Sequence, residues 1–248
     1  MSDRLRPYQV EGVGFLTSRP RALLADDMGL GKSAQLLTAA SVNRGDTLVI
    51  APAMVLDGGT WHDEAEKWCP EPSELVQSAY TRLGPQRLTE GQEKPERGYW
   101  SQRKAWASLV KPELLRQWAT VIFDEAHYLK GRGSLRSNYA QAIAAQADQV
   151  YLATGTPIPN FAHELFPLLQ MLNPDQGRPG QRYGSYWKWV GRWFQVTKGR
   201  YSDYEIGGML GCGRRCELHT PDNPCEHYLE FAEEELAGVF LKRRRADV

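Results

Sequence analysis

The sequence lacks any long hydrophobic run. No stretch reaches the roughly 20 consecutive apolar residues that a membrane-spanning helix requires, and residues 1–7 contain no apolar signal core. Cysteine is also scarce: the chain has 4, three of them crowded near the C-terminus, which is unlike a secreted disulfide framework. These absences predict no membrane partner and an intracellular, reducing location, cytoplasmic or nucleoid-associated if the source is prokaryotic or viral.

The chain has no excess of charge of either sign. Its 30 Lys and Arg residues balance 30 Asp and Glu residues, so the molecule as a whole is not a polyanion binder, and any nucleic-acid surface must be a local patch. The hydrophobic content of 42% supports a sizeable core, and 248 residues suit one large α/β domain or two small ones.

Residues 25–33 carry the strongest motif, Ala-Asp-Asp-Met-Gly-Leu-Gly-Lys-Ser. An apolar run predicted as a strand, Ala22–Leu24, precedes it, and a predicted helix, Ala34–Ala40, follows it. A glycine-bearing turn between a strand and a helix cradles phosphate with backbone N–H groups. Lys32 would reach the β- and γ-phosphates and Ser33 would ligate Mg²⁺. The alternative is an ordinary strand-to-helix turn. The predicted phosphate-binding residues are Asp27, Met28, Gly29, Leu30, Gly31, Lys32 and Ser33.

A second apolar run, residues 120–127, ends in two carboxylates. In a chain with a phosphate loop this placement is meaningful, because the ends of parallel strands share one crevice. Asp124 would hold Mg²⁺, Glu125 would orient and deprotonate the attacking water, and His127 would sense the γ-phosphate or relay the nucleotide state. Without the phosphate loop, the same residues would be a polar turn at a strand end.

Two further segments have open interpretations. Gln9, in a predicted N-terminal helix, carries an amide that could read an adenine edge, or it could sit on a solvated helix face. Residues 154–160 form a polar turn after a predicted strand. Their hydroxyls could hydrogen-bond the Asp124–His127 segment, or the turn could simply reflect its Gly and Pro content.

The region between the two motifs is harder to assign. Residues 81–104 are rich in charged residues, Gly and Pro, and predict an exposed insertion or flexible loop. We predict a strand over Trp106–Val110 and a short helix over Glu113–Trp118.

From residue 173 the composition changes. Aromatic residues cluster among basic ones and could stack bases or form a satellite core; the members are Tyr183, Tyr186, Trp187, Trp189, Trp193 and Phe194. Further on, Cys212, Cys216, Cys225 and His227, with His219 nearby, supply enough ligands for a tetrahedral Zn²⁺. The alternative is a set of unligated loop thiols. The basic cluster at residues 242–245 could face phosphate or be a solvated tail.

Together these motifs resemble the first RecA-like lobe of Swi/Snf-type DNA translocases, which are helicase-like ATPases of the second superfamily. The resemblance covers nearly the whole chain. In chain order, the matching segments are residues 5–9, 24–33, 48–52, 124–127, 152–160 and 241–248.

The resemblance implies an α/β fold, mainly a parallel RecA-like P-loop sheet flanked by helices, with an aromatic and Cys/His-rich C-terminal elaboration. Residues 1–172 would form the ATP-binding core. Residues 173–248 would complete the same lobe, with an insertion at about 207–227. The sequence ends where the family's second lobe begins, so half of an ATPase site is expected.

The resemblance also implies roles and partners. ATP and Mg²⁺ would be the cofactors, and Gln9 would read adenine. Thr154, Gly155 and Thr156 would couple nucleotide state to DNA. Double-stranded DNA would contact residues near Pro52, Ser108 and Lys130, and a second RecA-like lobe would act in cis or in trans. The alternative is a module without motor activity: a nucleotide-binding adaptor or switch, or a zinc-bearing module with a vestigial ATPase.

Overall fold

The structure is a computed structural model that describes residues 4–69, 74–85, 106–156, 162–173, 186–199, 204–210 and 226–248. Most of the predicted insertion at residues 81–104 lies outside this set. The chain divides into two compact units, Met1–Leu172 with Val239–Val248, and Asn173–Gly238. The predicted assignment of residues 173–248 to the same lobe stays a prediction.

Among the described residues, six strands form one parallel sheet in the first unit. They are β1 (Arg21–Leu24), β2 (Thr47–Ala51), β3 (Leu75–Ala79), β4 (Trp118–Phe123), β5 (Ala147–Ala153) and β8 (Phe240–Leu241). Their order is β3-β2-β4-β5-β1-β8. The central strands are mainly apolar and buried along most of their length, as expected for a parallel sheet covered on both faces.

Helices connect these strands. They are α1 (Pro7–Thr17), α2 (Lys32–Asn43), α3 (Ala53–Asp57), α4 (Thr60–Trp68), α5 (Leu135–Ala144) and α6 (Phe166–Leu172). Pro7 opens α1 where its missing N–H is not needed. Ser134 caps α5 by accepting a hydrogen bond from Ser137 N at 3.2 Å. Pro167 lies in the first turn of α6, where proline is tolerated because its missing N–H would have no partner within the helix.

The main core fills the space between the sheet and helices α1, α2 and α4. Leu36 and Leu37 of α2 pack with Trp61 of α4 and with Ile122 and Tyr151 of the central strands, and all five are essentially buried. This packing fixes α2, and with it the loop before α2, against the carboxyl ends of the strands.

Two secondary-structure predictions were wrong. Residues 106–110 are not a strand: Trp106 and Ala107 are helical, and a turn follows in which Leu109 N and Val110 N donate to the carbonyls three residues earlier. The predicted helix at residues 113–118 is a turn region, and Trp118 begins β4. The apolar side chains are buried as expected, but a short apolar run does not reveal its backbone conformation.

The second unit contains α7 (Tyr186–Trp193), β6 (Phe194–Thr197), β7 (Glu205–Met209) and α8 (Glu226–Leu236). Strands β6 and β7 pair antiparallel. The rings of Trp189, Trp193, Phe194 and Phe231 contact one another with centroids 5.4–6.1 Å apart. These aromatic residues therefore form a small core of this unit.

Candidate nucleotide site

The phosphate loop joins β1 to α2. Gly31 is the N-cap of α2 and adopts φ 70°, in the left-handed region that favours glycine. A Cβ at this position would also collide with the amide of Gln9. Lys32 and Ser33 are the first two residues of the helix, which places the helix N-terminus and its free N–H groups at the predicted phosphate site.

Lys32 lies inside the turn of this loop. Its Nζ donates to the carbonyl oxygens of Asp26 at 2.8 Å and Asp27 at 3.2 Å. Burial lowers the pKa of Lys32 below its ordinary value, and the nearby carboxylates of Glu125 and Asp124 oppose this shift. The loop thus curves around the Lys32 ammonium group, and the loop carbonyls of Asp26 and Asp27 accept its hydrogen bonds.

Gln9 connects α1 to the phosphate loop. Its amide Nε2 donates to the Leu30 carbonyl at 3.2 Å, and its Oε1 accepts from Arg6 N at 2.9 Å. Tyr8 OH also donates to the Leu30 carbonyl, at 3.4 Å. The predicted adenine-reading residue therefore lies beside the loop and not on a remote helix face.

Asp124 follows β4 directly and is held by three groups. Trp61 Nε1 donates to Oδ2 at 3.2 Å, Glu125 N donates to Oδ1 at 3.0 Å, and Tyr80 OH donates to the backbone carbonyl at 2.8 Å. Burial raises the pKa of Asp124, the charge of Glu125 adds to this shift, and the Trp61 hydrogen bond and Lys32 oppose it. Each carboxylate oxygen of Asp124 thus accepts one hydrogen bond from an N–H group.

Glu125, His127 and Thr154 form a connected group. His127 Nδ1 lies 3.1 Å from Glu125 Oε2 and 3.1 Å from Thr154 Oγ1. Thr156 N donates to Thr154 Oγ1 at 3.1 Å, which brings the second threonine into the group. Glu125 has φ 50°, a conformation that residues with a side chain rarely adopt. Such strain is typical of functional sites, where the surrounding contacts hold it.

The two motifs and the turn after β5 meet at one edge of the sheet. The charges of Asp124 and Glu125 act on Lys32, and a Cβ at Gly155 would lie 3.7 Å from Lys32 Nζ. Because β1, β4 and β5 are adjacent and parallel, their carboxyl ends share this crevice. The chemistry of the group fits a magnesium-bound triphosphate: a lysine and helix N-terminus for phosphate, and a hydroxyl and carboxylate for the metal.

The C-terminal segment is the part of the site that sequence reasoning missed. Arg243 Nη2 lies 2.6 Å from Oδ2 of Asp26, a fully buried residue of the phosphate loop. The sequence shows a basic cluster here, and the two interpretations drawn from it were that the cluster faces phosphate or that it is a solvated tail. The structure instead pairs one of its arginines with a carboxylate 217 residues earlier in the chain.

The residues predicted to contact DNA lie on three separate segments of the chain. Pro52 follows β2 and precedes α3. Lys130 follows a 3₁₀ helix (Ala126–Leu129), and its Nζ lies 3.2 Å from Glu164 Oε1. Ser108 lies in the turn region before β4.

The predicted zinc ligands fall largely outside the described residues. This applies to Cys212, Cys216, Cys225 and His219, and nothing is described of the His227 side chain. Within the described part of the chain, no group of three or more His, Cys, Asp or Glu side chains is placed to hold a metal. Cys69 is a buried free thiol. Nor does any helix in that part have the length and apolar character needed to cross a membrane.

Comparison with known proteins identifies the family. Residues 8–198, more than half of the chain, match the SNF2-related domain. The chain belongs to this family.

Its curated relatives are much longer proteins. The SNF2-related chain is 34% identical over 198 residues to Protein CHROMATIN REMODELING 19 of Arabidopsis thaliana, covering 69% of this chain and 25% of that protein. It is 29% identical over 214 residues to the DNA annealing helicase and endonuclease ZRANB3 of Homo sapiens, covering 83% of this chain and 18% of that protein. The chain thus spans a quarter or less of these relatives.

A solved structure shows the same fold. The SWI2/SNF2 ATPase core of Sulfolobus solfataricus in complex with dsDNA matches with a TM-score of 0.63 at 20% identity, covering 98% of this chain and 45% of that chain. The predicted RecA-like architecture is confirmed. The chain carries an SNF2-related domain with this fold, and membership of this family implies ATP and Mg²⁺ as cofactors.

Proposed function

We propose that this domain binds Mg·ATP and supplies the first half of an ATP-driven motor on double-stranded DNA. The observation that carries the proposal is the convergence of Lys32, Asp124 and Glu125 on one crevice at the carboxyl edge of the sheet. A phosphate-binding lysine, a metal-binding carboxylate and a second carboxylate for water are the groups that phosphoryl transfer to water requires.

In the proposed arrangement, Gln9 reads the adenine edge, and Lys32 with the backbone of Gly29 and Gly31 holds the phosphates. Ser33 and Asp124 supply oxygen ligands for Mg²⁺. When bound, Mg²⁺ neutralises charge on the β- and γ-phosphates.

Glu125 accepts a proton from the attacking water in this scheme, since it follows Asp124 at the mouth of the crevice. The same ring nitrogen of His127, Nδ1, contacts both Glu125 Oε2 and Thr154 Oγ1. A movement of the Glu125 side chain would therefore be passed through these contacts to residues 154–156. This supports a role of Thr154, Gly155 and Thr156 in coupling nucleotide state to DNA contact.

The proposal of a DNA substrate draws on the Sulfolobus solfataricus ATPase core, which was solved with dsDNA. Pro52, Ser108 and Lys130 are proposed as contacts to one DNA strand. A second RecA-like lobe, in cis or in trans, would supply arginine fingers and the remaining DNA surface. An intracellular location accompanies this function as a prediction.

The experiment compares ATP turnover by the chain alone, with duplex DNA, and with duplex DNA plus a polypeptide carrying a second RecA-like lobe. The chain alone should bind Mg·ATP but hydrolyse it slowly, because an arginine finger contributes about 10³–10⁵ in rate. Glu125→Gln should retain nucleotide and lose turnover in the two-lobed assembly. Fast DNA-stimulated turnover by the chain alone would contradict the division of the site between lobes.

The same experiment separates the motor from a switch. Nucleotide binding without turnover, even with DNA and a second lobe, would favour an adaptor that responds to nucleotide. The zinc proposal is independent of both outcomes. Metal analysis after purification without chelator should find more than about one Zn²⁺ per two chains if a structural site exists.

A further inference from the structure

Asp26 is a buried charge within the phosphate loop. Its side chain is fully buried, and the common P-loop has glycine at this position. Oδ1 accepts from Arg243 N and Nε, both at 3.0 Å, and Oδ2 accepts from Arg243 Nη2 at 2.6 Å and from Gln35 Nε2 at 3.2 Å. Among the described residues, Arg243 is the only cationic side chain that pairs with this carboxylate.

Arg243 also reaches the two helices that flank the loop. Its Nη2 donates to Gln35 Oε1 of α2 at 2.7 Å, and its Nη1 donates to the carbonyl of Tyr8 in α1. Helix α1 can approach this closely because it has glycine at position 12. A Cβ there would overlap Gln35 Oε1 and lie 2.7 Å from Arg243 Nη2. One guanidinium therefore joins the adenine-side helix, the phosphate loop and the helix that begins at Lys32.

Backbone pairing holds the C-terminal segment along this loop. Leu23 N donates to Val239 O at 2.7 Å, Ala25 N to Leu241 O at 2.7 Å, and Asp27 N to Arg243 O at 3.0 Å. Arg245 extends the contact, since its N donates to Asp27 Oδ2 at 3.0 Å and its Nη2 to Met28 O at 2.8 Å. The segment from residue 239 to residue 245 thus follows the chain from β1 into the phosphate loop.

Removal of one member of a buried ion pair leaves an uncompensated charge. An uncompensated Asp26 carboxylate would be drawn toward water, and the Asp26 carbonyl is one of the two that hold Lys32 Nζ. Loss of the Arg243 guanidinium would therefore disturb the loop that is to receive phosphate, even though Arg243 is proposed to touch no nucleotide.

We propose that Arg243 is a positioning residue of the nucleotide site, which holds the phosphate loop and helix α1 in the geometry needed for Mg·ATP. The proposal rests on the proposed ATP-binding function. It assigns the C-terminal segment a role in nucleotide affinity as well as in folding.

The test compares Arg243→Gln with Asn43→Ala in the full chain. Asn43 lies at the other end of α2, where it donates to Thr120 Oγ1 at 3.1 Å and Tyr151 OH at 3.0 Å, so its loss destabilises the same unit away from the site. Amide hydrogen exchange of residues 26–31 is measured without nucleotide. We expect faster exchange in Arg243→Gln than in Asn43→Ala, with Arg243→Lys intermediate.

The second readout is the Kd of a fluorescent Mg·ATP analogue. Arg243→Gln should weaken binding about tenfold or more, because the loop loses its buried counter-charge, and Asn43→Ala should not. Adding Asp26→Asn to Arg243→Gln removes the stranded charge and should restore part of both the affinity and the exchange protection. A purely structural loss would grow worse with the second substitution.

The outcomes are separable. Equal exchange and equal Kd in Arg243→Gln and Asn43→Ala would overturn the positioning role, whatever the wild type does. If the wild-type chain bound no Mg·ATP, the proposed function would fail, and the exchange comparison with its Asp26→Asn rescue would still decide the role of Arg243.

Discussion

At the scale of single residues, the support around Asp124 distinguishes this carboxylate from an ordinary strand-end acid. The indole of Trp61 is buried, and its N–H points at Oδ2. Partners of this kind orient metal-binding groups and usually affect metal affinity when they are removed. Trp61 and Asp124 are 63 positions apart in the chain, so no continuous motif connects them.

Trp61→Phe keeps an aromatic ring and removes the N–H. We expect the Mg²⁺ concentration needed for half-maximal ATP binding to rise about tenfold, at the low end of the effect of losing such a partner. Trp68→Phe is the matched control, because Trp68 Nε1 in the same helix donates to Glu64 Oε2 at 2.9 Å. Magnesium titration of Mg·ATP binding checks both variants, and an equal response in the two would exclude a specific role for Trp61.

The same substitution should alter pH dependence. Burial already raises the pKa of Asp124 above its ordinary value of 3.8, and the Trp61 hydrogen bond opposes this rise by stabilising the charged form. Loss of the N–H should raise the pKa further, so Asp124 would become protonated at a higher pH. The loss of Mg·ATP binding on acidification should therefore begin at a higher pH in Trp61→Phe than in the wild type, and it should begin at the wild-type pH in Trp68→Phe. Loss of binding at the wild-type pH in Trp61→Phe would contradict the assignment of Asp124 as the titrating ligand.

Spatial proximity of side chains was predictable from sequence where each motif is continuous in the chain. Lys32, Asp124 and Glu125 are close to one another, as their strand-end positions indicated. The pairing of Asp26 with Arg243 was not predictable, because it joins residues 217 positions apart through the pairing of β8 with β1. Charge alone identifies neither which arginine of a basic cluster turns inward nor what it meets.

At the scale of elements, side-chain contacts link the ends of β4 and β5. Thr154 is buried and follows β5, and its Oγ1 contacts His127 after β4 and accepts from Thr156 N. The two strands are adjacent and parallel, so a displacement of Glu125 can move the turn after β5 through only a few contacts.

Thr154→Val keeps the shape and removes the hydroxyl. We expect DNA-stimulated turnover of the two-lobed assembly to fall about tenfold, consistent with the loss of one or two hydrogen bonds of about 1 kcal/mol each. Nucleotide affinity should change much less, because Thr154 is not proposed to touch ATP. Thr38→Val is the control: its hydroxyl is also buried but lacks a hydrogen-bond partner among the described residues. A similar fall in turnover for Thr38→Val would exclude a specific coupling role for Thr154.

Element prediction failed between the two motifs for a physical reason. Trp106, Val110 and Leu114 are buried, so their hydrophobicity was a correct signal of burial. Their backbone is a helix end at Trp106 followed by turns, and Lys111 N donates to the carbonyl of the distant residue Leu83 at 2.9 Å. The pattern of apolar residues indicates which side chains are buried, whereas the formation of a strand also depends on a neighbouring strand in the sheet.

At the scale of the whole molecule, the residues proposed to hold nucleotide all belong to one of the two compact units. Gln9, Lys32, Asp124 and Arg243 lie in the unit made of residues 1–172 and 239–248. The chain passes through the second unit before it returns as β8. The site thus contains residues from both parts of this unit, and for this reason Arg243 lies far from the other site residues in the sequence.

Phe231→Ala tests whether the second unit contributes to nucleotide affinity. Phe231 is fully buried and contacts Trp189, Trp193 and Phe194, so its truncation should destabilise that unit by about 3–5 kcal/mol. The Kd for Mg·ATP should nevertheless stay within about twofold, as expected for substitutions that act independently. Leu37→Ala, in the core beneath the phosphate loop, should weaken binding at a comparable loss of thermal stability. If Phe231→Ala weakened Mg·ATP binding as much as Leu37→Ala does, the nucleotide site would require the second unit to be intact.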